Sequence, residues 1–438
     1  MKNSKLLLMS IVMLLAGTTF GQNPIIRNQF SADPTARVFN GKVYLYPSHD
    51  IVAPPDKNLR KDWFCMEDYH VFSSENLTDW TDHGVIVTQT KVPWLTRINY
   101  DMWAPDCVFK NGKYYFYFPV GGRIGVATAD KPEGPYTVLD KAVTGMGGID
   151  PCVLFDKAGQ AYLISAQGRI SIAKLKDNMI EVDGPAQVIA NLPTKGLIEG
   201  PFAFERNGKY YLTYPHVQNT IERLEYAMSD SPMGPYTPAG VIMDESTSGC
   251  WTNHQSIVQY NGQWYLFYHD RDYSPKFDKN RSVRADSLSF NADGTIKKVV
   301  ATLRGVGLTS ATSEIQIDRY SGLSDKNISI ALLDTVNTFA GWKTLFNAPN
   351  SWVQYNSVDF GSKKISSVEV KAKSAAGGTI QIHADKIDGP VVAEVKIPKG
   401  NELKSVEAKV SKSQKGVHNL FVVLKDSPVE VDWVKFIN

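Results

Sequence analysis

The sequence predicts an all-β protein with two domains, a five-bladed β-propeller over residues 22–320 and a jelly-roll-like β-sandwich over residues 321–438. A hairpin pattern that occurs five times and a second repeated turn predict the propeller, and regularly spaced short strands predict the sandwich. The length of 438 residues agrees with this division, because a domain usually takes about 100–200 residues.

The hairpin pattern is a Gly-containing turn followed by a strand rich in aromatic residues. It reads NGKVYLY, NGKYYFY, AGQAYLI, NGKYYLT and NGQWYLF and begins at residues 40, 111, 158, 207 and 261. Asn-Gly between apolar runs is a strong hairpin signal, because a type I′ turn needs positive φ at both central residues. Since no helical periodicity of useful length separates the copies, we predict five antiparallel blades around one axis.

The second repeated turn supports the blade unit. TADKPEGPYT at residues 128–137 and MSDSPMGPYT at residues 228–237 place Asp, Pro and Gly-Pro-Tyr at the same offsets. We expect both segments to form a turn beside the outer strand of a blade.

An ionisable residue stands at the start of the strand that leads into each hairpin. These residues are Asp33, Asp106, Asp150, Glu199 and His254. The strands they begin are predicted to be the innermost ones, so their starts should converge at one end of the axis. Carboxylates crowded in a partly dry funnel repel, so the pKa of one should rise while another stays ionised, as acid–base catalysis requires. The alternative is that Asp-Pro and Glu-Gly-Pro only form turns where the strands begin.

The segments around these acids resemble glycoside hydrolase family 43, whose members are five-bladed propellers acting mostly on arabinofuranosides and β-xylosides. The resemblance covers roughly residues 24–320 and rests on ADPTARVFNGKVYLY, YDMWAPDCVFKNGKYYFYF, GGIDPCVLF, IEGPFAFERNGKYYLTY and TNHQSIVQYNGQWYLFYHD. It implies that Asp33 is the general base, that Glu199 is the general acid, and that Asp150 orients Glu199 and keeps its pKa high. Hydrolysis would then invert the anomeric carbon, with base and acid about 6.5–9.5 Å apart to admit a water molecule.

The resemblance also implies roles for three further residues. His254 would be a ligand of an axial ion, commonly calcium, although a hydrogen-bonded histidine is the alternative because calcium prefers oxygen ligands. Trp103 is a candidate for stacking on a sugar ring, with core packing as the alternative. Arg281 resembles an arginine that reaches the bound sugar or the acids, with a surface salt bridge as the alternative. Asp106 matches no catalytic acid of the family and is expected to cap backbone groups.

Short alternating strands fill residues 328–438, as in a β-sandwich. The stretches WVQYNSVDFG, GGTIQIHAD, GVHNLFVVLKD and VDWVKF resemble carbohydrate-binding module family 6. Members usually clamp a sugar between two loop aromatics, but the corresponding stretch here, PKGNELKSVEAKV, contains none. Trp342, Trp352 and Tyr355 are the other candidates for stacking, with core or interface packing as the alternative. The sequence therefore predicts a docking or vestigial sandwich and leaves sugar binding open.

The first 21 residues have the three-part build of a secretory signal. Lys2 and Lys5 precede an apolar stretch over residues 6–16, and small residues follow up to Gly21. We expect a secreted or periplasmic protein, because this run is shorter than the about 20 residues of a membrane span. In an oxidising compartment the four cysteines can pair, and buried free thiols are the alternative. The formal net charge of +2 gives no indication of a nucleic-acid partner.

These observations together predict an exported glycoside hydrolase that acts on an oligo- or polysaccharide. It would cleave terminal L-arabinofuranosyl or D-xylosyl units from arabinoxylan, xylan or arabinan with inversion. No sequence motif for an organic cofactor or for a serine hydrolase occurs. The alternatives are a sugar-binding propeller with impaired catalysis and a retaining propeller glycosidase of the fructan-cleaving type. The Asn-Asp-Pro-Asn-Gly signature of the latter is replaced by Ser-Ala-Asp-Pro-Thr at residues 31–35.

Overall fold

This computed structural model describes residues 22–57, 59–196 and 198–438. The predicted signal segment, residues 1–21, lies outside the described residues. The described part consists of β-strands, connecting loops and two short 3₁₀ segments, Gln89–Lys91 and Thr338–Ala340, and it contains no α-helix. No helix in these ranges has the length and hydropathy to cross a membrane. The predicted all-β fold class is confirmed.

Five antiparallel sheets form the propeller, and in each sheet the strands lie side by side in chain order. Blade 1 contains β1 (Ala32–Phe39), β2 (Lys42–Ser48), β3 (Asp68–Ser74) and β4 (Thr81–Thr88). Blade 2 contains β5 (Asp106–Lys110), β6 (Lys113–Val120), β7 (Arg123–Ala129) and β8 (Thr137–Val138). Blade 3 contains β9 (Ile149–Phe155), β10 (Ala161–Ala166), β11 (Ile170–Lys174) and β12 (Gln187–Val188). Blade 4 contains β13 (Phe202–Arg206), β14 (Lys209–Val217), β15 (Glu222–Ser229) and β16 (Thr237–Met243). Blade 5 contains β17 (Ser256–Tyr260), β18 (Gln263–Asp270) and β19 (Ser282–Leu288).

The hairpin turns have the backbone geometry that their sequences predict. Both residues have positive φ in Asn40-Gly41, Asn111-Gly112, Asn207-Gly208 and Asn261-Gly262. In the third copy, Ala158-Gly159, only the glycine has positive φ. There Asp156 Oδ1 accepts hydrogen bonds from the backbone N–H groups of Ala158 and Gln160, both at 2.9 Å. A side chain therefore closes the one loop that lacks the Asn-Gly pair.

The beginning of the described chain runs along the last strand of the propeller. Ile25 N donates to the carbonyl of Val283, and Ser31 N donates to the carbonyl of Arg281, both at 2.9 Å. The Asn23 side chain adds a bond from its Nδ2 to the carbonyl of Ala285 and accepts one from the N–H of the same residue. Residues 23–31 thereby cover the outer edge of β19 and join blade 5 to blade 1.

Asp106 connects three blades through a buried ion pair. Its carboxylate accepts two hydrogen bonds from Arg37 of blade 1, at 2.9 Å from Nε and 2.6 Å from Nη2. It also accepts a 2.7 Å bond from the N–H of Val153 in blade 3. Asp106 itself is fully buried. The carboxylate thus caps backbone groups as expected and, in addition, balances a guanidinium between the blades.

Two further sheets form the C-terminal sandwich. One has the order β20 (Thr309–Ser310), β25 (Trp352–Asp359), β30 (Val417–Leu424), β27 (Gly378–Ala384) and β28 (Val391–Ile397), with β22 (Gly322–Leu323) also paired to β25. The other has the order β23 (Ile328–Leu332), β24 (Trp342–Phe346), β31 (Val429–Ile437), β26 (Ser367–Ser374) and β29 (Gly400–Lys409), with β21 (Ile315–Gln316) paired to β31. Strand β26 alternates strictly between half-buried and buried residues, which places its apolar face in the core between the sheets.

The sandwich sheets begin before residue 321, where the sequence analysis places the domain boundary. Strand β20 pairs with β25 and strand β21 pairs with β31, so residues 309–316 already belong to the two sheets. The predicted boundary rests on the point at which alternating strands begin in the sequence. Strands β20 and β21 precede that point and, at two residues each, are too short to show an alternating pattern.

Two of the candidate stacking residues of the sandwich lie at the contact between the domains. The Trp342 ring stacks on Tyr273 of the propeller with centroids 5.0 Å apart, and the Arg319 guanidinium lies 4.0 Å from the Trp342 centroid. Tyr355 is fully buried, and its hydroxyl accepts a 2.7 Å bond from Gln22 Nε2. Trp352 packs against Phe421 with centroids 5.4 Å apart. These contacts fit the packing alternative for all three residues.

The four cysteines are unpaired and buried. The structure therefore agrees with the second of the two alternatives, in which the thiols pack as small apolar groups.

Replacing Asp106 with Asn tests the contact between the blades. The neutral amide cannot balance the Arg37 guanidinium, and breaking a buried ion pair from one side costs about 3–5 kcal/mol. Because the Arg37 side chain is 18% exposed, we expect the free energy of unfolding to fall by about 3 kcal/mol, measured by urea denaturation. The control is Asp130→Asn, which removes an exposed ion pair with Lys113 on the same blade and should cost at most about 1 kcal/mol. Equal effects of the two substitutions would contradict the structural role of Asp106.

Candidate active site

The innermost strands of the blades begin around one pocket on the propeller axis. The six residues predicted to act in catalysis, substrate binding or metal binding line this pocket, namely Asp33, Asp150, Glu199, Trp103, Arg281 and His254. Asp106, the fifth ionisable residue at a strand start, is not among the lining residues, because its carboxylate binds Arg37 and Val153 between the blades. The remaining lining residues include Trp63, Phe64, Met66, Trp251, Thr252 and Asn253. The pocket therefore combines three carboxyl groups with an aromatic wall, as a saccharide site requires.

The Asp-Pro dipeptides turn the acids toward the axis. Asp33 and Asp150 have positive φ values of 46° and 52°, which are unusual for residues other than glycine. The pairing register of blade 1 shifts between Ala32 and Thr35, and that of blade 3 shifts at the start of β9. Each acid therefore sits in a β-bulge, a feature that re-aims side chains next to active sites.

Blade 4 reaches a similar backbone geometry with a different residue order. Here Gly200 has the positive φ, 52°, and precedes Pro201, whereas the acid is one position earlier, at Glu199. A Cβ atom on Gly200 would lie 2.7 Å from the Pro215 side chain and 2.9 Å from His254 Nδ1. Glycine is therefore required next to the acid both by its φ and by the close packing.

Asp33 is held as an anion. Its two carboxylate oxygens accept bonds of 2.9 and 3.1 Å from Arg281 Nη1 and Nη2, and Oδ2 also accepts a 2.6 Å bond from the Ser48 hydroxyl. Burial alone would raise the pKa of Asp33, but the nearby Arg281 guanidinium, followed by His269, lowers it below the usual range. Asp33 can therefore accept a proton in the pocket at any pH near neutrality.

Arg281 binds the acids and has no donor left for a sugar. Nε and Nη2 bind Asp50 at 2.9 Å, and Nη1 and Nη2 bind Asp33. The second hydrogen of Nη1 points to the Thr252 hydroxyl at 3.4 Å. Because a guanidinium has five N–H donors, these contacts use all of them. Of the two roles that the resemblance implies for Arg281, the structure shows the contact with the acids, through which Arg281 positions Asp33.

Asp150 contacts the backbone next to Glu199. Its Oδ2 accepts a 2.9 Å bond from the N–H of Gly200, the residue that follows Glu199. Burial raises the pKa of Asp150 well above its usual value, and the charges of Glu199 and Asp33 raise it further. Asp150 thus fixes the backbone at Glu199, and ionising it is unfavourable.

Glu222 is a fourth acid of this site, and the sequence analysis did not identify it. It begins β15, is completely buried, and accepts a 2.6 Å hydrogen bond through Oε2 from the N–H of Asn253. Its Oε1 has no hydrogen-bond donor among the described residues, whereas its side chain meets the Glu199 carboxyl group. Because its pKa lies well above its usual value, Glu222 keeps its proton and can donate it in a hydrogen bond to Glu199.

The pKa values of this pair follow from the same contact. Burial raises the pKa of Glu199, although the hydrogen bond from Glu222 opposes this rise. Burial and the charge of Glu199 raise the pKa of Glu222 well above its usual value. A sequence signal for Glu222 does exist, because strand alternation places it on the same buried face as Leu224 and Tyr226. A carboxylate in an otherwise apolar row is unusual unless it has a function.

His254 could take part in a calcium site only if water molecules supplied most of the ligands. It is buried, and burial lowers its pKa to about 4. Calcium takes six to eight oxygen ligands, whereas His254 supplies one nitrogen and the Arg281 guanidinium lies close enough to lower the pKa further. A cation here would have to keep most of its water molecules. We therefore assign no catalytic step to a metal, and the axial calcium ion stays a prediction.

The aromatic wall contains more residues than the sequence analysis identified. Trp103 lines the pocket as expected, and its Nε1 is buried without a partner in the described structure. Phe64 lies between Trp63 and Trp251, with centroid distances of 5.2 and 6.4 Å. The three rings come from loops whose course a single sequence does not give.

Comparison with known proteins agrees with this geometry. Residues 21–296 match the family described as Glycosyl hydrolases family 43, and residues 324–438 match Carbohydrate binding module (family 6). A xylosidase/arabinosidase of Humicola insolens is 35% identical over 326 residues, covering 62% of this chain and 98% of that protein. An arabinoxylan arabinofuranohydrolase of Paenibacillus polymyxa is 28% identical over 94% of this chain and 73% of its own length.

Two solved structures extend the comparison. A β-xylosidase/α-arabinofuranosidase from a compost metagenome, in its calcium-free form with xylotriose, has 34% identity and a TM-score of 0.57, covering 64% of this chain and 98% of its own. A Bacillus subtilis arabinoxylan arabinofuranohydrolase in complex with cellotetraose has 25% identity and a TM-score of 0.57, covering 96% of this chain and 99% of its own.

The propeller with its pocket of carboxyl groups and aromatic rings is that of a glycosidase. The chain belongs to glycosyl hydrolase family 43, and its C-terminal sandwich corresponds to a family 6 carbohydrate-binding module.

The substitution Glu222→Leu tests the contact between the two carboxyl groups. The hydrogen bond from Glu222 lowers the pKa of Glu199, and leucine cannot donate it, so the pKa of Glu199 should rise. We expect the basic limb of the pH profile of kcat/KM to move to higher pH. The matched control is Glu225→Leu on the same strand, where Glu225 pairs with Arg223 and His216 instead. An unchanged profile in Glu222→Leu would contradict this contact.

Proposed function

We propose that this protein is an exported glycosidase that removes terminal L-arabinofuranosyl or D-xylosyl units from plant cell-wall polysaccharides with inversion. Relatives named xylosidase/arabinosidase and arabinoxylan arabinofuranohydrolase support this substrate class. The length of the match favours arabinoxylan, since the arabinofuranohydrolases resemble both domains whereas the xylosidase/arabinosidases cover only the propeller. The signal-like residues 1–21 support export.

The proposal rests on one observation. Asp33 is held ionised by Arg281, whereas burial and the charge of Asp33 raise the pKa of Glu199 in the same pocket. A base that is always ready to accept a proton and an acid that retains one are the two groups that an inverting glycosidase needs.

The reaction would proceed in one displacement. Asp33 takes a proton from a water molecule as the oxygen of that water attacks the anomeric carbon. The bond from this carbon to the glycosidic oxygen breaks, and Glu199 gives its proton to the leaving oxygen. Asp150 keeps the backbone at Glu199 in place through the N–H of Gly200. Afterwards the proton on Asp33 returns to water, and Glu199 regains a proton from solvent or from Glu222.

Amide substitutions of the two acids test these roles. We expect Asp33→Asn and Glu199→Gln each to lower kcat by roughly 10²–10⁴-fold. The loss in Glu199→Gln should be smaller on an aryl glycoside than on arabinoxylan oligosaccharides, because a good leaving group needs less protonation. The control is Asp130→Asn, a substitution of an exposed residue, which should leave kcat unchanged. Full activity of Glu199→Gln on the oligosaccharides would refute its role as the proton donor.

The products formed by the unchanged protein complete this test. Proton NMR during early hydrolysis of arabinoxylan, arabinan and xylo-oligosaccharides reports the released sugar and its first anomer. The inverted anomer is expected. A retained anomer would instead indicate a covalent intermediate, as in the fructan-cleaving alternative.

The predicted axial calcium ion has a separate test. Elemental analysis of the purified protein should find calcium, and chelation followed by dialysis should lower activity until calcium is restored. The activity of the variant His254→Ala should no longer change when calcium is added. Full activity of a calcium-free preparation would remove the ion from the proposal.

A further inference from the structure

Two histidines and an aspartate meet on blade 1, outside the lining of the active-site pocket. His49 directly follows β2, and Asp68 and His70 belong to β3. One potential ligand atom from each residue lies within 4.8 Å of the other two. The rings of His49 and His70 meet edge to face with centroids 5.1 Å apart. Two imidazole nitrogens and one carboxylate oxygen are a donor set that zinc accepts while keeping a fourth position for water.

His70 is already oriented as a metal-bound histidine usually is. Its Nδ1 lies 3.0 Å from Asp82 Oδ1, and this oxygen also accepts a 2.7 Å bond from the N–H of Gly84. The contact with Asp82 leaves Nε2 of His70 available and fixes the ring, as the carboxylate next to a zinc-bound histidine does. The His70 ring also stacks on the Phe72 ring with centroids 6.0 Å apart, so one face of the imidazole has an apolar neighbour.

The other two residues, His49 and Asp68, already contact each other. His49 Nδ1 and Asp68 Oδ1 are 2.7 Å apart, whereas neighbouring ligands of tetrahedral zinc are about 3.3 Å apart at normal bond lengths. The side chains of His49, Asp68 and His70 are 20%, 14% and 15% exposed, so an ion and its water molecule can reach them.

We propose that His49, Asp68 and His70 form a binding site for a divalent transition-metal ion, best matched by Zn²⁺, with Asp82 as the residue that positions His70. The site would be structural, because an ion there would tie the end of β2 to β3. His49 stands between Ser48, which binds Asp33, and Asp50, which binds Arg281. The ion would therefore stabilise the short segment that holds the catalytic base without touching the substrate.

The experiment measures metal binding by the full chain, purified without a polyhistidine tag and treated with a chelator. Zinc chloride is titrated by calorimetry, and the apparent Tm is followed with and without zinc. We expect the unchanged protein to bind zinc and to gain on the order of 3 °C at saturation. His70→Ala should lose one equivalent of bound zinc and the associated rise in Tm. Asp82→Asn should keep the site but bind roughly 10–100-fold more weakly.

The matched control is His418→Ala in the sandwich. His418 pairs with Asp385 at 2.8 Å but joins no three-ligand group in the described part of the chain, so its loss should leave zinc binding unchanged. If His70→Ala does not fold, His49→Gln replaces it in the same titration. Zinc stoichiometry that is the same in the unchanged protein and in the His70 or His49 variant would overturn the proposal. So would the absence of any zinc binding. Because the readout is metal binding, either outcome is independent of whether the glycosidase proposal holds.

Discussion

The contact of Arg281 with Asp33 and Asp50 is the interaction on which the site depends. All three side chains are buried, and they join the last strand of the propeller to the first strand and to the loop after β2. Without the guanidinium, Asp33 would be one more carboxyl group in a dry pocket and would take up a proton. The same contact therefore closes the ring of blades on the axis side and keeps the base ionised.

The acids of the site differ in protonation. Asp33 contacts Arg281 and is anionic, whereas burial raises the pKa values of Asp150, Glu199 and Glu222. Protein environments often divide similar groups between acid and base roles in this way. The direct contact with one arginine distinguishes Asp33 from the other acids, since the side chains themselves are chemically alike.

Most of the propeller could be predicted because its turns are encoded locally. Asn-Gly pairs require positive φ, and Asp-Pro bulges mark the starts of inner strands, so short sequence patterns were enough to count the blades. The boundary of the sandwich was less accessible, because β20 and β21 are two residues long and are defined only by their partners in distant strands.

The sequence pointed to the acids that stand in a repeated pattern and missed the acid that does not. Asp33, Asp150 and Glu199 precede a proline by one or two residues, whereas no such pattern surrounds Glu222. The importance of Glu222 comes from Glu199 and Asn253, which lie in loops distant from it in sequence. Arg281 was identified, but its role depends on Asp50, which is more than 200 residues away and has no local signal.

The segment at residues 23–31 has a consequence for how the protein is made. During synthesis it leaves the ribosome long before its backbone partners, Arg281 and Val283, which emerge only after four blades have been translated. The propeller can therefore not close while it is being made, and its early blades must wait with an open edge. Contacts of such long sequence separation are slow to form, and exposed edges invite association with other chains.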